Sequence, residues 1–378
     1  MKLSRRQSLK YLGAAAASGI LPNGVQSATL TARQKTQNIF LSCNANTDGK
    51  FNFAALNPDG TCHYEIPLPG RGHGVAVRRD QAVVIARRPG NFAIVTDLIS
   101  GSVVQQLTAP TGRHFFGHGS YSTDGKKLYT TENDFDAGRG VVGVWDAENN
   151  YRRLGEYPSY GIGPHEIIPL SGGKTLAVAN GGLLTHPDTG RRKLNIPTMI
   201  SSLVYLDGSN GRLIKKHRFD KSRYRKLSVR HISEDRSGAI CIALQDQGPK
   251  EHLMPLVAFH QQDQPYLKIA PTPSRVTRRL RGYMGSSAID QSGVIAAVSA
   301  PRGNMVTFWD TRNRNYLGRV KVFDCCGIAA FGSTGIFIIT SGGGGVILHD
   351  VITENSTSLN TSYSLSRRWD NHITVAGI

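Results

Sequence analysis

Histidine returns in one short sequence context along most of this chain. The phrases GRGHGVAVRRD, FFGHGSYSTDG, GIGPHEIIPLSGG and SVRHISEDRSG each place a histidine ahead of a β-type run. The phrases YMGSSAIDQSG, DCCGIAAFGS and WDNHITVAGI carry serine, cysteine or histidine at the aligned position. The aligned residues are His73, His118, His165, His231, Ser286, Cys326 and His372. Imidazole and thiolate are ligands that borderline and soft metals prefer, so the set favours copper, zinc or iron over magnesium or calcium.

Polar residues next to the aligned histidines could fix their tautomers. Glu166 directly follows His165, and Asp370 and Asn371 precede His372. Hydrogen-bond partners of this kind orient metal-ligating imidazoles. We therefore predict that these three residues accept hydrogen bonds from the ligand histidines or bind the metal themselves. Ser286 interrupts the ring of ligands and could leave an open coordination position.

The spacing of the aligned residues predicts the elements that hold them. Successive positions are 45, 47, 66, 55, 40 and 46 residues apart. Each is followed by a strand, a turn, a second strand and a third strand that often ends in Asp, as in FAIVTD and MVTFWD. Four short strands in a period of about 40–50 residues are typical of a β-propeller blade. The sequence predicts an all-β, seven-bladed β-propeller in which the aligned residues meet at one mouth of the central channel.

The two ends of the pattern predict how the ring closes. Residues 37–68 supply three strands without an inner strand, and HITVA supplies a single strand. One blade shared between N-terminal and C-terminal strands would seal the ring and remove exposed sheet edges. No linker or composition break interrupts residues 28–378, so we predict one domain there. The insertion THPDTGRRKLN would bring Arg191 near the channel mouth, where it suits an anionic ligand or forms a plain surface loop.

A structural role for the histidines competes with the metal site. In Trp-Asp propellers a Gly-His pair lies roughly 25 residues before the Trp-Asp pair and serves a hydrogen-bond network. His73 follows glycine and precedes Asp97 by 24 residues, which fits that network. His165 and His231 follow proline and arginine, which does not fit it. A metal-free catalytic role is a third possibility.

The first residues predict export. Arg5 and Arg6 stand beside an apolar run that ends at Pro22 and is too short to span a bilayer. We predict a twin-arginine signal peptide over residues 1–27, a periplasmic mature protein and no membrane span. Without the four basic residues of that leader, 41 Lys and Arg face 27 Asp and Glu, about +14. An exported protein rarely meets nucleic acid, so this charge favours an envelope surface, an acidic partner or no specific role.

Five cysteines remain after the leader. Cys43 and Cys62 could lie on neighbouring strands and form a disulfide in an oxidising compartment. Cys325 and Cys326 are adjacent, and a bond between such a pair is strained and uncommon.

The phrases FFGHGSYSTDGKKLYTTENDFDAGRGVVGVWDA, LAVANGGLLTHPDTGRRKLN and WDNH resemble an exported bacterial family catalogued as domain of unknown function 1513. The resemblance covers nearly all of the mature chain and implies a seven-bladed propeller of the kind seen in quinoprotein and lactonase-like enzymes. It also implies a genomic neighbourhood of imelysin-type and di-haem peroxidase-like periplasmic proteins, and therefore a part in iron acquisition. Nitrous oxide reductase has a similar propeller with axial histidines, but this chain lacks that enzyme's copper-binding electron-transfer domain.

Three hypotheses follow. The first is a periplasmic propeller that binds a transition metal, iron or copper before zinc, on His73, His118, His165, His231, Cys326 and His372. The second is a metal-assisted oxidoreductase or a lactonase-type hydrolase at the same channel mouth. The third is a metal-free scaffold with structural histidines and a basic face for an acidic partner.

Overall fold

The computed structural model describes residues 37–249 and 251–378. The predicted signal peptide lies outside the described residues. Within them, 28 strands form seven four-stranded antiparallel sheets. The all-β, seven-bladed propeller predicted from the repeat is confirmed.

The strands follow the chain in meanders. The first three blades contain β1 (Asn38–Ala45), β2 (Phe51–Leu56), β3 (Cys62–Pro67), β4 (Gly72–Arg78), β5 (Gln81–Ala86), β6 (Phe92–Asp97), β7 (Val103–Thr108), β8 (Arg113–Tyr121), β9 (Lys127–Asp134), β10 (Arg139–Asp146) and β11 (Arg152–Pro158). The next two contain β12 (Pro164–Pro169), β13 (Thr175–Asn180), β14 (Ser202–Asp207), β15 (Leu213–His217), β16 (Leu227–Glu234), β17 (Ile240–Asp246), β18 (Val257–His260) and β19 (Lys268–Ile269). The remaining strands are β20 (Ser286–Ile289), β21 (Ile295–Ala300), β22 (Met305–Asp310), β23 (Tyr316–Lys321), β24 (Cys325–Ala330), β25 (Ile336–Ser341), β26 (Val346–Asp350), β27 (Ser356–Ser358) and β28 (Arg368–Gly377).

Helices are short and lie between strands. The α-helices are α1 (Ser274–Leu280) and α2 (Ser362–Leu365), and the 3-10 turns are Pro187–Thr189, Ile196–Thr198, Ser222–Tyr224 and Pro301–Gly303. Among the described residues, no helix has the length and apolarity needed to cross a membrane.

The ring closes through strands from both ends of the described chain. One sheet has the order β28-β1-β2-β3, so the last strand pairs with the first. The inner strands β4, β8, β12, β16, β20, β24 and β28 contact one another in succession, and β28 contacts β4. The predicted shared blade is therefore confirmed, and the inner strands surround one axis.

The core lies between neighbouring blades and follows the two-residue period of the strands. In β5, Val83 and Ile85 pack in the same cluster as Trp145 of the next blade. Their neighbour Val84 faces the other way and packs with Phe53 of the preceding blade. Both faces of each blade are thus buried, which explains the continuous apolar runs in the sequence.

The expected proximity of Cys43 and Cys62 was wrong. Cys43 lies in β1 and Cys62 in β3, and β2 pairs with both of those strands and separates them. All five described cysteines are free. The hairpin order of the blade, which the spacing alone did not give, accounts for this difference.

Candidate metal centre

Irregularities in strand pairing set the aligned residues apart from the rest of the inner strands. The pairing register shifts at or beside His73, His118, His165, His231, Cys326 and His372. β20 pairs regularly with β21 from Ser286 onward. A bulge leaves a residue outside the ladder and redirects its side chain. The backbone is therefore irregular at or beside each of the predicted ligands and regular at Ser286.

The five aligned histidines lie together on the propeller axis, although up to 299 residues separate them in sequence. We call them the axial histidines. They form two triplets whose ring nitrogens lie within 4.8 Å of one another: His73, His118 and His372, and His118, His165 and His231. His118 belongs to both triplets. Every axial histidine is at least nine-tenths buried.

One pair of nitrogens already has the separation of two ligands on one ion. His165 Nε2 and His231 Nε2 lie 3.3 Å apart. Two nitrogens at about 2.0–2.1 Å from a tetrahedral ion would be roughly 3.3 Å apart. The nitrogens His118 Nε2, His231 Nδ1 and His372 Nε2 are buried and have no hydrogen-bond partner among the described residues. Of these atoms, His118 Nε2 and His372 Nε2 fit an ion that the protein would surround, whereas His231 Nδ1 faces the Glu166 carboxylate.

Glu166 lies between two axial histidines of the second triplet. Its carboxylate oxygens are 3.5 Å from His118 Nδ1 and 3.4 Å from His231 Nδ1. The Ile232 backbone N–H donates to Glu166 Oε2 at 2.7 Å and fixes the carboxylate. Burial raises the pKa of Glu166, and the neighbouring His118 ring and this hydrogen bond partly oppose that effect. Glu166 thus lies where a carboxylate can orient two imidazole rings, as carboxylates do beside metal-bound histidines.

Asp370 plays the corresponding part in the first triplet. Its two oxygens lie 2.5 Å from His73 Nδ1 and 2.5 Å from Arg71 Nε. Burial opposes ionisation of Asp370, but His73, Arg71 and Arg87 outweigh it and hold the pKa of Asp370 well below its usual range. His73 therefore donates its Nδ1–H to a carboxylate and presents the lone pair of Nε2, which is the tautomer required of a ligand.

Burial keeps the axial imidazoles neutral. It lowers the pKa of His73 to about 4, even though Asp370 opposes the shift. It also lowers the pKa of each of the other axial histidines well below the usual value, with Arg230 or Arg87 adding to the effect and Glu166 opposing it at His118. A neutral ring can bind a metal without first losing a proton.

The other predicted residues lie around this cluster rather than in it. Cys326 is buried and belongs to neither triplet, and burial raises the pKa of its thiol well above the usual value. Asn371 donates from Nδ2 to the Tyr283 hydroxyl at 2.7 Å, and Ser286 lies in the regular ladder of β20. Arg191 lines a cavity at the same mouth of the channel.

That cavity has a volume of about 600 Å³ and a strongly basic lining. We call it the arginine chamber. Its cationic residues are Arg71, Arg87, Arg88, Arg191, Lys193, Arg230, Arg302 and Arg368. Arg230 and Asp370 line it and stand one or two residues before His231 and His372, so the chamber lies next to the axial histidines. Sequence reasoning named only Arg191 of these cations. The paired arginines of RRPG and the end of the basic run before His231 were the available signals.

Hydrogen bonds within the insertion that carries Arg191 and Lys193 hold it in place. Asn195 accepts the Leu184 N–H at 2.7 Å and donates to Gly182 O at 2.9 Å. The insertion also contacts the first phrase quoted for the family resemblance, because His186 Nε2 lies 3.5 Å from Asp136 Oδ1. The two phrases therefore meet at one side of the channel mouth.

Comparisons with known proteins support the fold and the family. A family model described as "Protein of unknown function (DUF1513)" matches residues 66–376. Among solved structures, the chain is similar to "Kuenenia stuttgartiensis Hydrazine Synthase", with a TM-score of 0.61 and 13% identity over 90% of this chain and 99% of that chain. Similarity at that identity concerns the fold alone. The search of curated proteins found no match.

Proposed function

The chain belongs to the DUF1513 family of proteins of unknown function, and on that premise we propose that it binds a transition metal on its axial histidines as a periplasmic metal-handling protein. The observation that carries the proposal is the pair of buried histidine triplets that share His118. Neutral imidazoles with fixed tautomers and unpartnered nitrogens suit iron, copper or zinc.

The proposed ligands are the axial histidines, with Glu166 and Asp370 as the carboxylates that orient them. When bound, the metal would supply Lewis-acid or redox chemistry at the channel mouth. The protein's own part is to hold the imidazoles neutral and to exclude water, since every axial histidine is buried.

The cellular role is proposed from the sequence. The twin-arginine leader over residues 1–27 would deliver the folded protein to the periplasm. The family resemblance favours iron, followed by copper, and suggests imelysin-type and di-haem peroxidase-like proteins as partners in metal acquisition.

Elemental analysis by mass spectrometry tests the proposal on mature protein purified from the periplasm without chelator or affinity tag. We expect near-stoichiometric iron, copper or zinc in the wild type and less than about a tenth of that in His118→Ala, because His118 belongs to both triplets. His63→Ala is the matched control, since His63 is exposed on β3.

The proposal fails if folded wild-type protein holds no metal after incubation with each ion. The axial histidines would then be structural, and a scaffold for an acidic partner would be the better account.

The arginine chamber favours a second candidate, a metal-assisted oxidoreductase or a lactonase-type hydrolase. A cavity of about 600 Å³ beside the axial histidines has room for a small substrate. Turnover of a lactone or of a redox dye by the metal-loaded wild type, and its loss in His118→Ala, would support this candidate. Equal rates in both proteins would exclude it.

A further inference from the structure

We infer that the arginine chamber binds a small polyanion with two or more carboxylate or phosphate groups. This site is distinct from the axial histidines, and the inference does not depend on the proposed metal.

The charge balance of the chamber is strongly positive. Eight cationic side chains line it, against the two carboxylates Asp324 and Asp370, a difference of six charges. Asp370 is already engaged by Arg71 and His73. Like charges held together in a partly buried cavity repel one another, and a multiply charged anion would relieve that repulsion.

Arg230 gives the strongest evidence for an anionic ligand, because the described residues do not supply its Nε with an acceptor. It is only 7% exposed, and its Nε has no hydrogen-bond partner among the described residues. Its side chain lines the chamber. A buried guanidinium without an acceptor is costly, whereas a carboxylate or phosphate could accept two parallel N–H bonds from it.

Two further arginines of the chamber are only partly buried but also lack a carboxylate partner among the described residues. Arg87 and Arg88 follow β5, and no salt bridge joins either to a carboxylate within the described part of the chain. Burial, together with Arg71 and Arg191, lowers the pKa of Arg87 despite the opposing charge of Asp370. Burial and the charge of Arg87 lower the pKa of Arg88 to about 10. The charges of these three partly or fully buried guanidinium groups therefore destabilise one another. A shared anion would stabilise all three.

Other cations of the chamber are held in place by uncharged partners. Lys193 donates to Gln247, and the Arg302 guanidinium lies 5.1 Å from the centre of the Tyr283 ring. These contacts position the side chains without neutralising them. Because these side chains are already held in position, less conformational entropy is lost when an anion binds to them.

Size and charge together define the ligand class. A volume of about 600 Å³ is that of a site for a small molecule. A monovalent anion would leave five of the six excess charges uncompensated. Guanidinium groups match carboxylate and phosphate in a planar, two-bond geometry, so both groups fit. The cations line a concave cavity, which favours a small polyanion over an acidic protein surface.

Isothermal titration of metal-free mature protein with citrate, inorganic pyrophosphate and acetate tests the inference. We expect citrate or pyrophosphate to bind at least about 100-fold more tightly than acetate. Arg230→Gln and Arg302→Gln should each weaken that binding by about tenfold or more, because each removes a charge-assisted contact. Arg212→Gln, which removes the same charge from an exposed turn outside the chamber, should leave it unchanged. The Arg302 side chain is largely exposed to solvent, so Arg302→Gln should fold even if Arg230→Gln does not.

Three results would overturn the inference. The first is that neither polyanion binds. The second is that Arg212→Gln weakens binding as much as the chamber variants, which would indicate a diffuse field. The third is that binding disappears in metal-free His118→Ala, which would make it part of the histidine site. Loss of metal in His118→Ala with retained citrate or pyrophosphate binding supports both proposals separately. Absence of metal from the wild type with retained polyanion binding would reject the proposed function and leave this inference standing.

Discussion

Two histidine clusters in this propeller are equally well buried, but their ring nitrogens have different surroundings. The axial histidines face one another and two carboxylates. The second cluster consists of His217 and His260, in the outer strand β15 and in β18, with ring centres 4.1 Å apart. His260 Nδ1 lies 2.7 Å from the Tyr205 hydroxyl and its Nε2 lies 3.0 Å from Gln264 O. Both nitrogens of His260 are therefore used within the protein.

The comparison shows that a lowered pKa does not identify a metal ligand. Burial lowers the pKa of His260 to about 4, the same value as for His73. The clusters differ in their spare nitrogens: among the described residues His118 Nε2 and His372 Nε2 lack a polar partner in the axial set, whereas in the outer pair only His217 Nε2 does. One lone pair cannot make a multidentate site. Unpartnered nitrogens and adjacent carboxylates are therefore better indicators than burial.

The largest expected effect separates the two clusters directly. His118→Ala should lower metal affinity at least about 100-fold while changing the free energy of unfolding of the metal-free protein by about 1 kcal/mol. His260→Ala should lower that free energy by about 2–4 kcal/mol, because it leaves a cavity and two unpaired groups, and should leave metal content unchanged. Urea denaturation and elemental analysis measure the two quantities. If both variants lose stability equally and retain metal, the clusters have the same structural role.

A carboxylate substitution should have the next largest effect. Glu166→Gln keeps the size of the side chain but removes the charge beside His118 and His231. Metal affinity should fall by about 10–100-fold, as for other partners of metal-ligating histidines. Glu148→Gln, in an exposed turn, is the control. Unchanged affinity in Glu166→Gln would show that the carboxylate does not orient the rings.

The pH dependence of stability should be shared by both clusters in the metal-free protein. The folded-state pKa of His73 is about 4, below the usual value, so the unfolded state takes up the proton first as pH falls. His73 therefore stabilises the fold above about pH 6.5, and this contribution, roughly 3 kcal/mol, is lost as pH falls towards 4. His73→Gln and His260→Gln should each flatten the plot of unfolding free energy against pH over that window. A plot that keeps its slope in both variants would contradict the buried neutral state.

The smallest effect is expected at the cysteine. Cys326 is an aligned residue with a bulge of its own, yet it belongs to neither histidine triplet. Cys326→Ser should change metal affinity by less than about twofold if the five histidines alone bind the ion. A large loss in competition titrations with a chelating dye would place the thiol in the ligand set, as the sequence pattern predicts.

The repeat made the propeller and its axial cluster predictable from sequence. Strands and turns are local signals, and residues at the same place in each repeat must meet at the axis. The bulges were not predictable, because register depends on both strands of a pair. The chamber was not predictable either, since Arg87, Arg191 and Arg302 lie outside the strands at different positions in their repeats and meet Arg230 of β16 only through the placement of loops.

The cysteines show the limit of reasoning from spacing. Nineteen residues separate Cys43 from Cys62, which is compatible with either adjacent or alternate strands. The structure has alternate strands, and Cys43 instead lies under Gly72, where an added Cβ would come 2.6 Å from its sulfur. Which strand pairs with which is decided by the whole blade.

The closing strand also sets the order of events during synthesis. β28 carries Asp370 and His372 and pairs with β1, which the ribosome makes more than 300 residues earlier. A nascent chain that stops before β28 has His118, His165 and His231 but lacks a closed ring around them, and it lacks one member of the other triplet. The complete set of axial histidines therefore comes together only after the final blade closes.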